Sequence, residues 1–190
     1  MIIAVSGITG VGKSYLKRCV AEELKIENFL MVTTRPKRFF DINGKDKWFV
    51  TMKEFERLKS QGKLMLEIEF VGNKYAYYTE EMKGDKDGIT EIYFDEVDNF
   101  RRECKDFLAV YVKPTNIEIS KKKLLGRKLD KKVIQNRIEE MEYQLKSFED
   151  DKELQSKYDY IFTNDYTKKA KNDFVKYIKK RMNEMKSNNN

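Results

Sequence analysis

The sequence predicts an α/β protein in which a parallel sheet is flanked by helices and carries a small inserted lobe. Three observations support this fold class. The chain begins with an apolar run at 1–6, a glycine-rich phosphate-binding pattern and apolar residues at helical spacing in 15–24. Further strand and helix patterns alternate over 89–185. The stretch 33–78 interrupts this alternation with patterns that are typical of antiparallel strands.

The glycine-rich stretch is the strongest functional signal in the chain. It fits the phosphate-binding loop pattern without a mismatch, and its residues are Gly7, Ile8, Thr9, Gly10, Val11, Gly12, Lys13 and Ser14. The glycines let backbone N–H groups curl around an anion at the N-terminus of the following helix. Lys13 can reach the terminal phosphates, and the Ser14 hydroxyl can bind Mg²⁺. The preceding strand and following helix disfavour an ordinary glycine-rich turn.

The composition limits the class of protein. A chain of 190 residues is long enough for one domain with a buried core. The net charge is +7, but Lys and Arg are interleaved with Asp and Glu along most of the chain. This pattern disfavours a nucleic-acid partner and suits a cleft for phosphorylated substrates. The absence of His excludes histidine bases and histidine metal ligands.

The cysteines and the apolar runs indicate a cellular compartment. Cys19 and Cys104 have neither metal-ligand spacing nor a local partner, which favours a reducing environment. No apolar run reaches the length of a membrane span, and the first one leads into the glycine-rich loop instead of forming a signal peptide. We therefore expect a cytoplasmic protein with no membrane partner.

The inserted lobe begins with a candidate anion clamp. The apolar run 29–32 predicts a strand, which leads into the basic stretch 33–38. Pro36 puts Arg35 in an extended conformation. Arg35 and Arg38, stiffened by this proline, can hold an anion between their guanidinium groups. A solvated basic turn is the alternative interpretation.

The remainder of the lobe has clear turn and strand patterns. They predict a turn at 41–46, a strand at 47–50, a short helix from the capping box 51–54 to Gly62, and strands at 64–71 and 74–78.

The second half of the chain returns to alternating elements. The patterns predict strands at 89–94, 107–112 and 158–163, and helices at 97–104, 117–125, 133–148 and 167–185. Asp95 follows the first of these strands. Because ligands of parallel sheets bind at the carboxyl ends of the strands, Asp95 can hold a Mg²⁺-bound water. An Asp at this position also suits a helix N-cap.

Several short segments, taken in order, resemble the guanylate kinase family of nucleoside monophosphate kinases over nearly the whole chain. They are 33–38, 43–46 with 49–50, 54–55, 72–75, 125–127, 136–138 and 163–165. Each segment is weak alone, and the order and spacing are specific. The resemblance implies a single domain with a P-loop core, a mixed-β monophosphate-binding lobe and a short lid. Their ranges would be 1–32, 79–125 and 138–190 for the core, 33–78 for the lobe and 126–137 for the lid.

The resemblance also implies roles for individual residues. Residues 7–14 would hold the ATP phosphates, and Asn164 would lie near the adenine. The acceptor monophosphate would be bound by Arg35, Arg38, Lys47, Leu66, Glu67, Tyr75 and Tyr77. The transfer would depend on Lys13, Arg35, Arg127 and Arg137. Mg²⁺ would be held by Ser14 with Asp95 or Glu91, since two registers of the core strand fit the family pattern.

The departures from the family pattern lie where the acceptor base would bind. Met31 replaces a Ser, and Leu66 aligns with a Glu that reads the guanine edge, with Glu67 beside it. Tyr77 replaces a Ser or Thr, and Lys47 replaces a second phosphate-contacting Tyr. An unpaired guanine donor costs about 1–3 kcal/mol. A phosphorylated acceptor is therefore better supported than guanine as its base.

The sequence thus predicts an ATP- and Mg²⁺-dependent nucleoside monophosphate kinase with GMP or dGMP as the default acceptor. The acceptor phosphate oxygen is already ionised, so this reaction needs no general base. Three alternatives stay open at this point. They are the same transfer to another deoxynucleotide or a ribose bisphosphate, a non-catalytic interaction module, and a nucleic-acid-dependent ATPase. Lys13, Ser14 and the arginines argue against the module. The sequence does not indicate an oligomeric state.

Overall fold

Two β-sheets organise the residues 1–39, 41–70, 72–126 and 130–188, which are those that the computed structural model describes. The strands are β1 (Ile2–Gly7), β2 (Glu27–Asn28), β3 (Val32–Thr33), β4 (Trp48–Phe49), β5 (Leu64–Phe70), β6 (Asn73–Tyr78), β7 (Gly88–Glu91), β8 (Phe107–Pro114) and β9 (Tyr160–Asn164). The helices are α1 (Lys13–Leu24), α2 (Met52–Ser60), α3 (Thr79–Lys83), α4 (Val97–Glu103), α5 (Ile117–Leu125), α6 (Lys131–Asp150), α7 (Lys152–Ser156) and α8 (Lys168–Asn188).

The first sheet is parallel and forms the centre of the protein. Its strand order is β2-β7-β1-β8-β9. The strands β1 and β8 are apolar runs without alternation, and both are buried over nearly their whole length. The carboxyl ends of the parallel strands meet at one edge, where β1 leads directly into the glycine-rich loop.

Helices cover both faces of this sheet, which confirms the predicted fold class. One face packs against buried side chains of α1, α5, α6 and α8, among them Leu16, Val20, Leu124, Met141, Phe174 and Ile178. The other face packs against α4, α7 and the second sheet, through Phe100, Leu154, Tyr75 and Tyr77. Among the helices of the described residues, none is both long and apolar enough to cross a membrane.

The second sheet is mixed and has the order β4-β3-β6-β5. Strand β3 pairs parallel to β4 and antiparallel to β6, and β5 pairs antiparallel to β6. Helix α2 packs on one face through Phe55 and Leu58. It begins as its capping box predicts, since the Thr51 hydroxyl accepts a hydrogen bond from the Glu54 N–H at 3.1 Å.

Several local differences separate the structure from the sequence-based expectation. The predicted strand 29–32 is instead two short strands in different sheets, β2 and β3, joined by the buried residues Phe29–Met31. Strand β7 ends at Glu91, three residues before the predicted end at 94. The short helices α3 and α7 were not predicted. In each case long-range packing overrides the local pattern.

Candidate functional site

A cleft of about 1080 Å³ lies between the carboxyl edge of the parallel sheet and the second sheet. One wall is the glycine-rich loop, with Lys13 and Ser14. The opposite wall comes from the lobe and includes Met31, Arg35, Arg38, Lys47 and Tyr75. Helix α6 contributes Asn136, Arg137 and Glu140 to the same cleft. The chain thus brings a phosphate-binding loop and a cationic wall, both predicted from the sequence, to one cleft.

The glycines shape the loop where the backbone leaves ordinary conformations. Gly12 has φ of 96° and stands directly before the first residue of α1. Gly7 has φ of 136°, and a Cβ there would lie 2.1 Å from the Val112 carbonyl oxygen. No residue with a side chain fits such a position without moving the neighbouring strand. The side chains of Ile8 and Val11 are fully buried, so they anchor the loop in the core.

The Lys13 side chain folds back across its own loop. Its Nζ donates hydrogen bonds to the carbonyl oxygens of Gly7 at 2.7 Å and Ile8 at 3.0 Å. The same atom lies 3.3 Å from Glu91 Oε1. The ammonium group is therefore already held at the mouth of the loop, where the terminal phosphates of a nucleotide would lie.

Asn164 braces this loop from below. Its Nδ2 donates to the Val11 carbonyl at 2.8 Å, and its Oδ1 accepts from the Tyr166 N–H at 2.9 Å. The residue is only 3% exposed and does not line the cleft. The resemblance led us to expect Asn164 near the adenine; in the structure its Nδ2 holds the loop at Val11 and its Oδ1 holds the backbone of Tyr166.

Two residues that the sequence did not indicate complete this brace. The hydroxyls of Ser120 and Tyr166 lie 2.5 Å apart, and the Tyr166 hydroxyl also donates to the Gly10 carbonyl at 3.4 Å. Lys123 of α5 lies over the Tyr166 ring, with Nζ 3.5 Å from the centroid, and lines the cleft. No motif covers these residues, and only the contacts with the loop reveal them.

Glu91 is the carboxylate that faces Lys13 at the carboxyl end of β7. Burial alone would raise the pKa of Glu91, but the ammonium groups of Lys13, Lys47 and Lys17 outweigh it and hold the pKa at about 2. Asp95 is exposed in the following turn and does not line the cleft. Of the two carboxylates expected near Mg²⁺, the structure therefore brings Glu91 to the loop and leaves Asp95 outside it.

The residues around the loop fit Mg²⁺ chemistry. The described residues contain no cluster of three or more metal-ligating side chains. Magnesium needs no such cluster, because it keeps several waters and binds one or two protein oxygens together with substrate phosphates. The Ser14 hydroxyl and the Glu91 carboxylate both line the cleft and can supply those oxygens.

Arg35 is held in the cleft by a carboxylate that the sequence analysis left in a turn. Its guanidinium lies 2.7 Å from Asp41 Oδ2, donates to the Pro36 carbonyl at 2.8 Å and sits over the Phe49 ring. Asp41 Oδ2 also accepts the Arg38 N–H at 2.8 Å. Burial alone would raise the pKa of Asp41, but this N–H and Arg35 together lower it. Asp41 thus holds the guanidinium group of Arg35 and the backbone of Arg38.

Beside the clamp, Lys47 occupies the wall next to Tyr75. Its Nζ lies 3.3 Å from Met31 Sδ and 5.8 Å from the centroid of the Tyr75 ring. Burial lowers the pKa of Lys47, and Glu91 opposes that shift. Tyr75 packs edge-on against Tyr93, with ring centroids 5.7 Å apart. The structure therefore brings the predicted residues Lys47 and Tyr75 together and adds Met31 to them.

Lys17 of α1 is a further cleft residue that sequence reasoning missed. The residue is 6% exposed, and it lines the cleft. Burial lowers the pKa of Lys17 to about 8, while Glu91 counteracts this effect. A Lys four residues after Lys13 in an amphipathic helix is typical of a solvated face, so the pattern gave no signal.

Three residues expected to bind the acceptor do not line the cleft. Leu66 has φ of 54° and lies at a β-bulge between Met65 and Ile68, packed against the core. The exposed Glu67 pairs with Lys59 at 2.6 Å and Lys74 at 3.3 Å. Tyr77 is fully buried, and its hydroxyl donates to the Glu91 carbonyl at 2.5 Å. The structure therefore places these three side chains outside the cleft, and their roles toward the acceptor stay predictions.

Of the two arginines predicted in the lid, only one belongs to the described residues. Arg137 lies on α6 and lines the cleft beside Glu140. Burial raises the pKa of the Glu140 carboxyl, and Arg137 counteracts that rise. Arg127 lies outside the described residues, so only Arg137 has a place in the site geometry.

Comparisons with known proteins point to one family. A family model described as "Guanylate kinase" matches residues 1–181. The chain is similar to a guanylate kinase from Lactococcus lactis, with 30% identity over 94% of this chain and 86% of the relative. A guanylate kinase from Streptococcus mutans is 31% identical over 94% of this chain and 84% of the relative.

Solved structures agree at the level of the fold. A guanylate kinase from Anaplasma phagocytophilum superposes with a TM-score of 0.69 at 18% identity, covering 95% of this chain and 85% of that one. A shikimate kinase from Bacteroides thetaiotaomicron gives a TM-score of 0.54 at 14% identity, covering 96% and 98%.

Proposed function

Because the chain belongs to the guanylate kinase family of phosphotransferases, we propose that it transfers the γ-phosphoryl group of ATP to GMP or dGMP, giving GDP or dGDP. One observation carries the proposal. A single cleft has the phosphate-binding loop on one wall and Arg35, Arg38 and Tyr75 on the other. Two phosphorylated groups bound on these walls would meet between them, as a phosphate-to-phosphate transfer requires.

On the donor side, the loop 7–14 would surround the ATP phosphates with backbone N–H groups. Lys13 would neutralise charge on the phosphoryl group being transferred. Ser14 and Glu91 would hold Mg²⁺, which when bound offsets the charge of the donor phosphates. The relatives' activity implies ATP as the donor, and the brace beneath the loop fixes the loop before the nucleotide arrives.

On the acceptor side, Arg35, Arg38, Lys47 and Tyr75 would bind the monophosphate. Arg137 would approach the transferred group from α6, and the family pattern assigns Arg127 a similar role. The acceptor oxygen attacks as an ionised phosphate oxygen, so catalysis consists of positioning and charge neutralisation.

We propose that the chain is divided into a core, a monophosphate-binding lobe and a lid. The core would comprise 1–32, 79–125 and 138–190, the monophosphate-binding lobe 33–78 and the lid 126–137. Closure of lobe and lid over both nucleotides would exclude water and limit hydrolysis of ATP. The cysteines Cys19 and Cys104 are both unpaired, which supports a reducing, cytoplasmic setting.

A coupled ADP-release assay with Mg-ATP and a panel of nucleoside monophosphates tests the proposal. We expect turnover with GMP and dGMP that exceeds turnover with AMP, CMP, UMP and dTMP. Loss of turnover in Lys13→Ala would tie the activity to the loop. A wild-type enzyme that releases no ADP with any monophosphate would refute the proposal.

Transfer to a different phosphorylated acceptor is the competing proposal, because Leu66, Glu67 and Tyr77 all face away from the cleft while Met31 lines it. The panel should therefore include a ribose bisphosphate. Faster turnover with that compound or with another deoxynucleotide would favour this alternative over GMP.

A further inference from the structure

Two lysines that line the cleft have few partners within the described part of the chain for their ammonium groups. They are Lys17 of α1 and Lys47 at the start of β4, hereafter the lysine pair, and both line the cleft. Within the described residues, no carboxylate oxygen lies within 4.0 Å of the Nζ atom of either lysine. Lys17 makes no hydrogen bond to a described residue. The one hydrogen-bond acceptor for Lys47 among those residues is the thioether of Met31, which is a weak acceptor.

This arrangement is unfavourable for the protein alone. An ammonium group can donate three hydrogen bonds, and removing it from water without acceptors is costly. Burial lowers the pKa values of both lysines, and neighbouring cations lower them further: Lys47 acts on Lys17, and Arg35 acts on Lys47. Unfavourable burial of this kind persists at functional sites, where a ligand supplies the missing partner.

The ion pairs of the neighbouring cations show how the lysine pair differs from them. Lys13 has Glu91 at 3.3 Å, and Arg35 has Asp41 at 2.7 Å. Glu91 also attracts the lysine pair, but only Lys13 lies within ion-pair distance of it. Asp46 and Glu81 also interact electrostatically with Lys17, but neither forms an ion pair with its Nζ. Neither ammonium group of the lysine pair has a carboxylate within ion-pair distance among the described residues, so the pair suits a doubly charged ligand such as a phosphate monoester.

We propose that the lysine pair binds the phosphate of the acceptor from below, with Lys17 as a phosphate-binding residue that the family pattern does not assign. This inference rests on the proposed function. The position suits it, since Lys47 lies over the Tyr75 ring and feels the charges of Arg35, Arg38 and Lys13. A phosphate there lies between the clamp and the glycine-rich loop, with its oxygens facing the donor.

The test uses Lys17→Met and Lys47→Met, with Lys53→Met as a matched control on the exposed face of α2. Isothermal titration measures the affinity for GMP, for guanosine and for inorganic phosphate, and steady-state assays measure the KM values. We expect each cleft variant to bind GMP and inorganic phosphate at least about 10-fold more weakly. Guanosine affinity, the KM for ATP and all properties of the control should stay within about 2-fold.

Thermal unfolding distinguishes phosphate binding by Lys17 from a structural role of Lys17, because the two roles predict opposite changes in the melting temperature of Lys17→Met. Because methionine removes an unpartnered buried charge, Lys17→Met should melt at the same temperature as the wild type or higher. A structural lysine would instead lower the melting temperature and weaken every ligand alike. Lys17→Arg keeps the charge and replaces Lys17→Met if the latter does not fold. It should bind phosphate more tightly than Lys17→Gln.

The results separate this inference from the proposed function. A wild type that turns over no monophosphate refutes the proposed function, and the inorganic phosphate titration then decides the lysine pair on its own. Equal phosphate affinity in wild type and Lys17→Met would overturn the inference. Equal losses for GMP and guanosine would also overturn it, because the pair would then read the nucleoside and not the phosphate.

Discussion

The two walls of the cleft are stabilised in different ways. The donor wall is a backbone structure, in which Gly7 and Gly12 set the curve of the loop and Asn164 holds it to the core. The acceptor wall is made of side chains, where Arg35 depends on Asp41 and Lys47 rests against Met31. Backbone geometry recognises the common feature of all nucleotide donors, their phosphates. Side chains can change one at a time, so the acceptor wall is where specificity can diverge within one family.

Removing the charged group of the donor wall should have the largest effect on catalysis. We expect Lys13→Ala to lower kcat by about 10²–10³-fold, because Lys13 neutralises charge that develops on the transferred group. The coupled ADP-release assay measures this, and circular dichroism shows whether the variant folds. Activity within about 3-fold of the wild type would mean that the backbone of the loop suffices without its lysine.

Strain in the donor wall should appear as lost stability. Gly12→Ala puts a Cβ at φ of 96° and 2.9 Å from Asn164 Nδ2, and we expect the free energy of unfolding to fall by about 1–3 kcal/mol. Gly62→Ala is the matched control, because Gly62 has φ of 67° but no atom within 4 Å of the added Cβ. Urea unfolding compares the two. Equal losses would show that the contact with Asn164 is unimportant and that only the dihedral matters.

Substitutions in the acceptor wall should change substrate binding more than they change the stability of the fold. We expect Asp41→Asn to raise the KM for the monophosphate about 5-fold with the KM for ATP unchanged, because Arg35 loses the charge that positions it. Asp98→Asn, in an exposed ion pair with Lys157, serves as the control. A lower KM for the monophosphate would reverse the interpretation. Asp41 would then compete with the acceptor phosphate for Arg35.

Glu67→Gln should have the smallest effect. Its exposed ion pairs with Lys59 and Lys74 contribute about 0–1 kcal/mol to stability, and its side chain lies outside the cleft. We therefore expect KM values for GMP within about 2-fold of the wild type, as for Glu56→Gln, which shares Lys74. A selective 10-fold rise for GMP would show that the lobe rearranges on binding and brings Glu67 to the base.

Local patterns predicted the parts of this protein that local interactions determine. The glycine-rich loop, helix α1 and the capped helix α2 follow from contiguous residues, so the sequence located them. The β-bulge at Leu66 depends on how β5 pairs with β6, and no pattern in β5 alone indicates it. The same limit explains Lys17, because no pattern within α1 indicates its burial. The acceptor wall was therefore harder to predict than the donor wall.

The hydrogen bond between Asn164 and Val11 joins residues 153 positions apart. During synthesis the ribosome makes the complete glycine-rich loop early, but the amide that holds it emerges only when β9 is translated. A nascent chain that stops before Asn164 therefore contains every residue of the nucleotide-binding motif without its support. The support of the nucleotide-binding loop is thus completed only by residues near the other end of the described chain.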